Sequence, residues 1–534
     1  MARTGEEAKG REEARTGPVR EHAAHRADLG LDEATLRARI DAVLNRHPAV
    51  GLAVGIVRDG SFEFYGRGFA DIASGAPISE DTVFRIGSIT KVFTAIALMQ
   101  LCEEGLVDLD APASNYLRSY ELVSARAGFR PPTLRHLLTH TSGIPEARRI
   151  VDLFHPEAGP FEGRPLHLSV KFGEPLPSQA EYYRGGLRVV VQPGTVFAYS
   201  NHGFATLGQI IEDVSGTTLE HYFHERIFRP LGMRDTGLVR SAPIAARLAT
   251  GYTLGRRGAQ VVPDRDWTGA ASSGIYSTTG DLARFAAALM RGGADGSGPV
   301  LDPAALARMF DAQYRPDPRL SGWGLGFARA QAGAHRVIGH DGILPGFNSA
   351  FLVAPDDGVG VVALTNGSKG AFMWLETEFR GLLRDLLGVP ADAVRRDIPH
   401  HPEIWREICG RYRLPPRISD LRGRLALPAG VEVLARGGRV VLRAMVPALS
   451  RGLPLHPDDE DDPYVFRLDL SRLGMSSVRV VFGRDAASGA AALHTDLGGQ
   501  PMSLIRRPAG ARTCAPPAAA SSPARRPRSV EGGA

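Results

Sequence analysis

The stretch that decides the fold is Phe84-Arg85-Ile86-Gly87-Ser88-Ile89-Thr90-Lys91, together with the helix that it opens. From Ser88 to Glu104 almost every face of the run is apolar and Gly105 ends it, so the pattern predicts a buried helix. Lys91 follows Ser88 by three residues on one helical face, so its amine can reach the serine hydroxyl. Taken alone, these four residues also fit a serine cap followed by a first-turn cation, so the remaining chain has to decide between the two interpretations.

The choice of lysine at position 91 stands out against the composition. Only four of the 63 basic residues are lysines. A buried lysine can accept a proton during catalysis, whereas an arginine effectively cannot. Ser88 and Lys91 are therefore a candidate nucleophile and base.

Length and composition predict a multidomain globular protein. The chain has 534 residues, 43% of them hydrophobic and 23% charged, which suggests two to four domains with a sizeable core. The net charge of +5 is small and the arginines are scattered, so a nucleic-acid partner is not expected. The three cysteines have neither disulfide-framework nor zinc spacing.

Composition shifts divide the chain. Residues 1–29 and 509–534 are expected to be disordered tails, 30–390 a main domain, 391–404 a linker, and 405–508 a small all-β barrel or sandwich. The N-terminus has no apolar signal-peptide core and no stretch reaches the length of a membrane span. These features predict a cytoplasmic protein without a membrane partner.

Within the main domain the pattern predicts an antiparallel sheet of five or more strands flanked by helices, with a helical subdomain, hence a mixed α/β (α+β) fold. A hairpin is expected around Arg58-Asp59-Gly60 and further strands over 322–327 and 334–367. The polar insertion 146–192 has the length of a lid or specificity element. His136 and His140 have a spacing seen in metal sites, but the glutamate of the His-Glu-x-x-His motif is missing, so we expect structural roles.

Three motifs then occur in order: Ser88-x-x-Lys91, Tyr199-x-Asn201 and His340-x-Gly342. Together with LLTHTSGIP, PGTVFAYSN, GWGLGF and GHDGILPGF, they resemble the serine β-lactamase and penicillin-binding-protein superfamily. The chain looks most like the branch of class C β-lactamases, D-Ala-D-Ala carboxypeptidases, D-aminopeptidases and esterases. The resemblance covers roughly residues 31–390 and implies a β-lactamase/transpeptidase-like fold.

The resemblance also implies a role for each residue. Ser88 would form an acyl-enzyme, and Lys91 and Tyr199 would share its proton, with the general base left open between them. Asn201 would orient Lys91 and a substrate carbonyl, and His340 would replace the lysine found in the third motif of many β-lactamases. The backbone N–H groups of Ser88 and of Ile343, just past Gly342, would form the oxyanion hole.

Asp341 bears on the substrate. Relatives that bind a substrate carboxylate typically have Thr or Ser at this position, whereas an ionised aspartate has no donor and repels an anion. We therefore expect a neutral or cationic ester, amide or peptide substrate, unless Asp341 points away to an arginine.

Several functions remain open from the sequence. The first is a serine hydrolase of the esterase or D-aminopeptidase kind. The alternatives are a β-lactamase or D-Ala-D-Ala carboxypeptidase, an acyltransferase using the same acyl-enzyme, and a non-catalytic scaffold or binding protein. No metal or organic cofactor is implied. The segments ICGRYR and VVFGRDAASG resemble appended lipocalin-like domains, whose role would be either ligand binding or packing.

Overall fold

The computed structural model describes residues 31–58, 60–146, 169–293, 300–391, 394–415, 427, 429–444, 449–473, 475–497 and 499–507. The two expected tails, Asp59 of the first turn and most of the first half of the 146–192 insertion lie outside these residues. None of the helices in this described part of the chain is both long and apolar enough to cross a membrane.

The helices are α1 (Glu33–Arg46), α2 (Thr90–Glu103), α3 (Leu134–Leu138), α4 (Gln179–Tyr182), α5 (Asn201–Ser215), α6 (Leu219–Phe223), α7 (Ala242–Arg247), α8 (Ala270–Ser273), α9 (Thr279–Met290), α10 (Pro303–Phe310), α11 (Ala371–Leu386) and α12 (Trp405–Ile408). The strands before the barrel are β1 (Gly51–Arg58), β2 (Ser61–Asp71), β3 (Ala76–Pro77), β4 (Phe84–Arg85), β5 (Leu122–Ser124), β6 (Ser169–Lys171), β7 (Leu187–Val189), β8 (Tyr252–Gly255), β9 (Gly258–Val261), β10 (Arg265–Trp267), β11 (Tyr276–Ser277), β12 (Ala328–Ala332), β13 (His335–Leu344), β14 (Phe347–Ala354) and β15 (Val359–Thr365). The barrel strands are β16 (Gly410–Arg413), β17 (Val431–Arg436), β18 (Arg439–Ala444), β19 (Leu453–Pro457), β20 (Val465–Leu468), β21 (Val478–Arg484), β22 (Ala491–Leu497) and β23 (Gln500–Arg506).

A seven-stranded antiparallel sheet in the order β12-β13-β14-β15-β1-β2-β3 organises the main domain. The first hairpin brings β1 beside β15 from the far end of the domain, with Leu52 opposite Thr365. Successive side chains of a strand point to opposite faces of the sheet. In the central strands, the side chains on both faces are apolar. The mixed α/β fold expected from the sequence is confirmed.

Helices cover both faces of the sheet. On one face α1 and α11 pack against Val54 and Leu352, and on the other α2 and α9 pack against Phe351 and Val362. Helix α2 is buried from Thr90 to Leu101, as its apolar sequence predicts. A single 3₁₀ turn, Gly87–Ile89, precedes α2 and carries Ser88.

The strand expected over residues 322–327 is wrong, because β12 begins only at Ala328. Gly322 and Gly326 have φ values of 75° and 78°, outside the extended region. A Cβ on Gly324 would lie 2.2 Å from the carbonyl oxygen of Met309, so this glycine permits a close backbone approach. The segment is a turn that brings Trp323 against the strand carrying His340.

The C-terminal strands β16 to β23 close into an eight-stranded barrel, which decides between the barrel and the sandwich that the sequence left open. Apolar side chains such as Tyr412, Phe466 and Phe482 form its core, and Trp405 of α12 packs with them. Val465 and Val481 belong to a different cluster, in which they pack on Leu320 of the main domain. In the part of the chain that the structure describes, the barrel thus has an apolar core of its own and also packs against the main domain.

Candidate active site

The 3₁₀ turn that carries Ser88 is pressed against strand β13. Gly87 has φ 55°, and a Cβ on it would lie 3.1 Å from the backbone nitrogen of Ile343. Gly342 is packed just as closely, since its Cβ would lie 2.1 Å from the carbonyl oxygen of Ile86. Ser349 donates a hydrogen bond to that same carbonyl at 2.8 Å. The two glycines therefore bring the backbone of Ser88 next to that of Ile343.

The edge of β13 facing this turn is open. Strand β12 pairs with β13 only as far as Gly339, whereas β14 pairs with it from Ile338 to Leu344. From His340 onward, one edge of β13 is therefore not covered by β12. Backbone N–H groups on such an edge are available to a ligand, which places the predicted oxyanion donor, Ile343, at the rim of the site.

Lys91 has no solvent-exposed surface and is surrounded by oxygen atoms. Its Nζ lies 3.0 Å from Ser88 Oγ, 2.7 Å from Asn201 Oδ1 and 2.7 Å from the carbonyl oxygen of Ser272. Asn201 Oδ1 and the Ser272 carbonyl oxygen can only accept, so the amine donates to both, whereas the Ser88 hydroxyl can either accept from the amine or donate to it. The Tyr199 ring centroid lies 4.8 Å from the same nitrogen, a cation–π distance.

Tyr199 is fixed by His140, which the sequence placed among structural residues. The two rings stack at 4.3 Å, and His140 Nδ1 accepts a hydrogen bond from the backbone N–H of Ser200 at 3.1 Å. The His140 carbonyl accepts from the N–H of Ala198 at 2.7 Å. His140 is also the one non-glycine residue with positive φ among the described residues, at 55°. It shapes the turn that delivers Tyr199.

His136 and His140 both accept hydrogen bonds from the backbone. His136 Nδ1 accepts a hydrogen bond from the N–H of Thr133 at 3.1 Å and completes the cap of α3. Across the described ranges, His, Cys, Asp and Glu side chains form no group of three that could hold a metal ion.

Asn201 begins α5 and contacts a residue that the sequence analysis did not single out. The carboxylate of Glu146 accepts from the Asn201 backbone N–H at 2.7 Å and from its Nδ2 at 2.8 Å. Glu146 directly follows the quoted LLTHTSGIP segment, but it has no spacing relation to Asn201, which is 55 residues away. Only the folded chain pairs them.

His340 and Asp341 leave β13 on opposite faces. His340 pairs with Phe351, on the α2 face, whereas Asp341 pairs with Ala350, on the α11 face. The His340 ring is buried, 6.1 Å from the Tyr199 ring and 5.7 Å from the Trp323 ring. The Asp341 carboxylate is one-third exposed and lies 3.7 Å from His340 Nδ1. No arginine of the described chain forms an ion pair with it.

The structure thus brings the predicted site residues together at one end of α2. Lys91 is in direct contact with both Ser88 and Asn201 and lies near the Tyr199 ring, and His340 lies beside Tyr199. Gly342 and Ile343 lie against the turn that carries Ser88. Asp341 reaches the group only through His340.

Comparison with known proteins matches residues 36–383 to the beta-lactamase family model. The chain belongs to the beta-lactamase family. Members of this family are serine hydrolases, and the resemblance drawn from the motifs is therefore confirmed. The match covers the domain that holds the seven-stranded sheet and every predicted site residue.

Relatives in the beta-lactamase family carry several activities. Penicillin-binding protein 4 of Amycolatopsis lactamdurans is 29% identical over 68% of this chain and 92% of its own length. Esterase EstB of Burkholderia gladioli is 28% identical over 63% of this chain and 92% of its own length. The octameric penicillin-binding protein homologue of Pyrococcus abyssi superposes with a TM-score of 0.56 at 25% identity, covering 89% of this chain and all of that one.

Proposed function

We propose that this chain cleaves an ester or amide bond through an acyl intermediate on Ser88, in the manner of the esterases and D-aminopeptidases of its family. The observation that carries the proposal is the contact between Lys91 Nζ and Ser88 Oγ at 3.0 Å, made at a buried amine beside a partly exposed hydroxyl. A serine hydroxyl is a weak nucleophile until a neighbouring group takes its proton. A scaffold would need none of these groups in contact.

In the first step Ser88 Oγ attacks the carbonyl carbon of the substrate and its proton passes to the general base. The oxyanion is bound by the N–H groups of Ser88 and Ile343, worth about 3 kcal/mol per donor in comparable sites. The tetrahedral intermediate collapses and expels the alcohol or amine, which takes the proton from the base. Water then attacks the acyl carbon, returning a carboxylic acid and free Ser88.

We assign the base role to Lys91 and Tyr199 together, as the two groups that share the Ser88 proton. The Lys91 amine donates to the oxygens of Asn201 and Ser272, so toward Ser88 Oγ it acts as a donor when charged and as an acceptor when neutral. A charged Lys91 near the Tyr199 ring would favour a phenolate, whereas a neutral Lys91 would take the serine proton itself.

A carboxylate at the site favours a neutral or cationic substrate. Glu146 lies beside Asn201, close to where the substrate carbonyl would bind, whereas Asp341 leaves β13 on the opposite face and approaches the site only through His340. Like charges repel at such distances. The expected substrates are therefore uncharged esters, or amides with a free amine, in preference to carboxylate-bearing β-lactams.

The test is covalent labelling followed by intact-mass measurement. A fluorophosphonate probe should add one label to the native chain, none to Ser88→Ala, and one to Ser74→Ala, which changes an exposed serine in a turn. An unlabelled native chain, or a labelled Ser88→Ala variant, contradicts the acyl-serine proposal. Hydrolysis of nitrocefin as fast as p-nitrophenyl butyrate contradicts the substrate preference alone.

A further inference from the structure

Asn201 can support catalysis only in one of its two amide orientations. Its Oδ1 accepts a hydrogen bond from Lys91 Nζ at 2.7 Å. Rotating the amide by half a turn would place Nδ2, which carries two donors, where the Lys91 amine now finds an acceptor. A group on the other side that distinguishes the two ends of the amide, by accepting from Nδ2 only, therefore holds the orientation that serves Lys91.

Glu146 is the side chain that makes this distinction. Its Oε1 accepts from Asn201 Nδ2 at 2.8 Å while its Oε2 accepts from the Asn201 backbone N–H at 2.7 Å. A carboxylate has no donor, so it can bind only the NH₂ end of the amide. The second hydrogen bond fixes the carboxylate to the first turn of α5, where the helix dipole also favours negative charge.

The same turn of α5 is held from the other described end of the 146–192 insertion. Tyr183, next to α4, places its hydroxyl 2.7 Å from Nδ1 of His202, the residue after Asn201. Burial keeps the pKa of Tyr183 well above its ordinary value, and the negative charge of Glu146 adds to this shift, so the tyrosine stays neutral. Asn201 is thus held by the first residue of the insertion, Glu146, and His202 is held by Tyr183 from its second half.

We propose that Glu146 is a positioning residue that orients the Asn201 amide toward Lys91, so that the insertion contributes to catalysis through its first residue. The proposal rests on the acyl-serine function. The hydrogen-bonded chain runs from the carboxylate through the amide to the Lys91 amine and then to Ser88 Oγ. Its negative end strengthens the bond from the amine, because hydrogen bonds to charged groups polarise their neighbours.

The first experiment compares Glu146→Gln with Glu181→Gln. Glu181 is a carboxylate of the same insertion that caps α4 from an exposed position. Glu146→Gln should lower the rate of fluorophosphonate labelling and the kcat for p-nitrophenyl butyrate by about 10- to 100-fold, as small misplacements in an active site do. KM and the melting temperature should change little. Glu181→Gln should behave as the native chain.

A double-mutant cycle tests whether Glu146 acts through Asn201. In an Asn201→Ala background the Glu146→Gln change should have no further effect on labelling, because the amide that it orients is gone. The Asn201→Asp variant should label slowly, because it places two carboxylates together. Adding Glu146→Gln restores a donor between them and should recover the labelling rate. We expect the double variant to label at least about tenfold faster than Asn201→Asp alone.

The outcomes separate this proposal from the proposed function. If the native chain is not labelled, both fail. If the native chain is labelled and Glu146→Gln reacts at the same rate, or lowers the rate equally with and without Asn201, or changes KM alone, only the positioning role of Glu146 fails. Failure of the Asn201→Asp/Glu146→Gln pair to recover activity would likewise overturn it, even if Glu146→Gln by itself folds poorly.

Discussion

At the scale of single residues, the geometry of the site depends on two glycines whose missing side chains let two backbone segments lie in contact. Gly87 and Gly342 have no chemistry of their own, yet a methyl group on either would touch the opposite segment. Their absence of a Cβ is what allows the turn carrying Ser88 to lie against Ile343. The geometry of the proposed oxyanion hole therefore depends on these two glycines as well as on Ser88.

Gly87→Ala should lower kcat for p-nitrophenyl butyrate by about 100-fold, because a Cβ 3.1 Å from the Ile343 nitrogen pushes the two donors apart. The matched control is Gly105→Ala, at a φ of 70° with nothing within 4 Å of the new Cβ. Both variants carry the strain of alanine in the left-handed region, about 1–2 kcal/mol. Equal kcat values in the two variants would contradict the assigned oxyanion geometry.

At the scale of elements, most of the hydrogen bonds that organise the site are made at the N-terminus of α5. Ser200 caps the helix by accepting from the N–H of Gly203 at 3.2 Å, Glu146 holds Asn201, and His140 holds the turn before them. Helix α2 meets this mouth through Lys91. The proposed catalytic group thus lies at the junction of two helix N-termini, where backbone donors would otherwise lack partners.

His140→Ala should lower the free energy of unfolding by about 1–3 kcal/mol, because the buried N–H of Ser200 loses its acceptor. His140→Asn should recover part of this loss, since asparagine tolerates positive φ and its Oδ1 can accept the same hydrogen bond. Urea denaturation measures both. His136→Ala, which removes a cap on the short helix α3, is the comparison and should cost about 1 kcal/mol. A larger loss in His136→Ala than in His140→Ala would contradict the assigned roles.

At the scale of the whole molecule, the barrel is hydrogen-bonded to the loop that carries Trp323. Asp496 of β22 accepts from the backbone N–H of Ser321 at 2.8 Å, and two residues later Trp323 packs against His340. Arg319 joins the same loop to the barrel by donating to Asp462 at 2.8 Å and to the carbonyl oxygen of Phe482 at 3.0 Å. The barrel therefore contacts a short loop of the main domain that carries Trp323, a neighbour of His340.

This contact should make stability depend on pH. Burial raises the pKa of Asp496 from 3.8 to about 6, although the N–H groups of Ser321 and Gly322 oppose the shift. The folded state then binds a proton that the unfolded state has lost, so this group's contribution decreases as pH rises from about 4 to about 6.

Asp496→Asn should remove that dependence while keeping an acceptor for Ser321. Its melting temperature minus that of the native chain should be near zero at pH 4, increase up to about pH 6 and then level off. Differential scanning calorimetry across this range measures the difference. A flat difference would contradict the assigned ionisation of Asp496, and a negative one above pH 6 would show that the charge stabilises the contact.

The sequence by itself determined the elements and the motif residues. The apolar run of α2 and the hairpin of β1 and β2 are local signals, because helix period, strand alternation and turn chemistry extend over a few residues. The strand predicted over residues 322–327 was wrong, because three glycines give an apolar run whose backbone is not extended.

Only the tertiary structure decided which distant residues meet. The contact of Glu146 with Asn201, the stacking of His140 on Tyr199, the face from which Asp341 leaves β13 and the docking of Asp496 on Ser321 all join segments that no local pattern relates. The physical reason is that such contacts are fixed by how whole layers pack, and packing is a property of volume and shape summed over the fold.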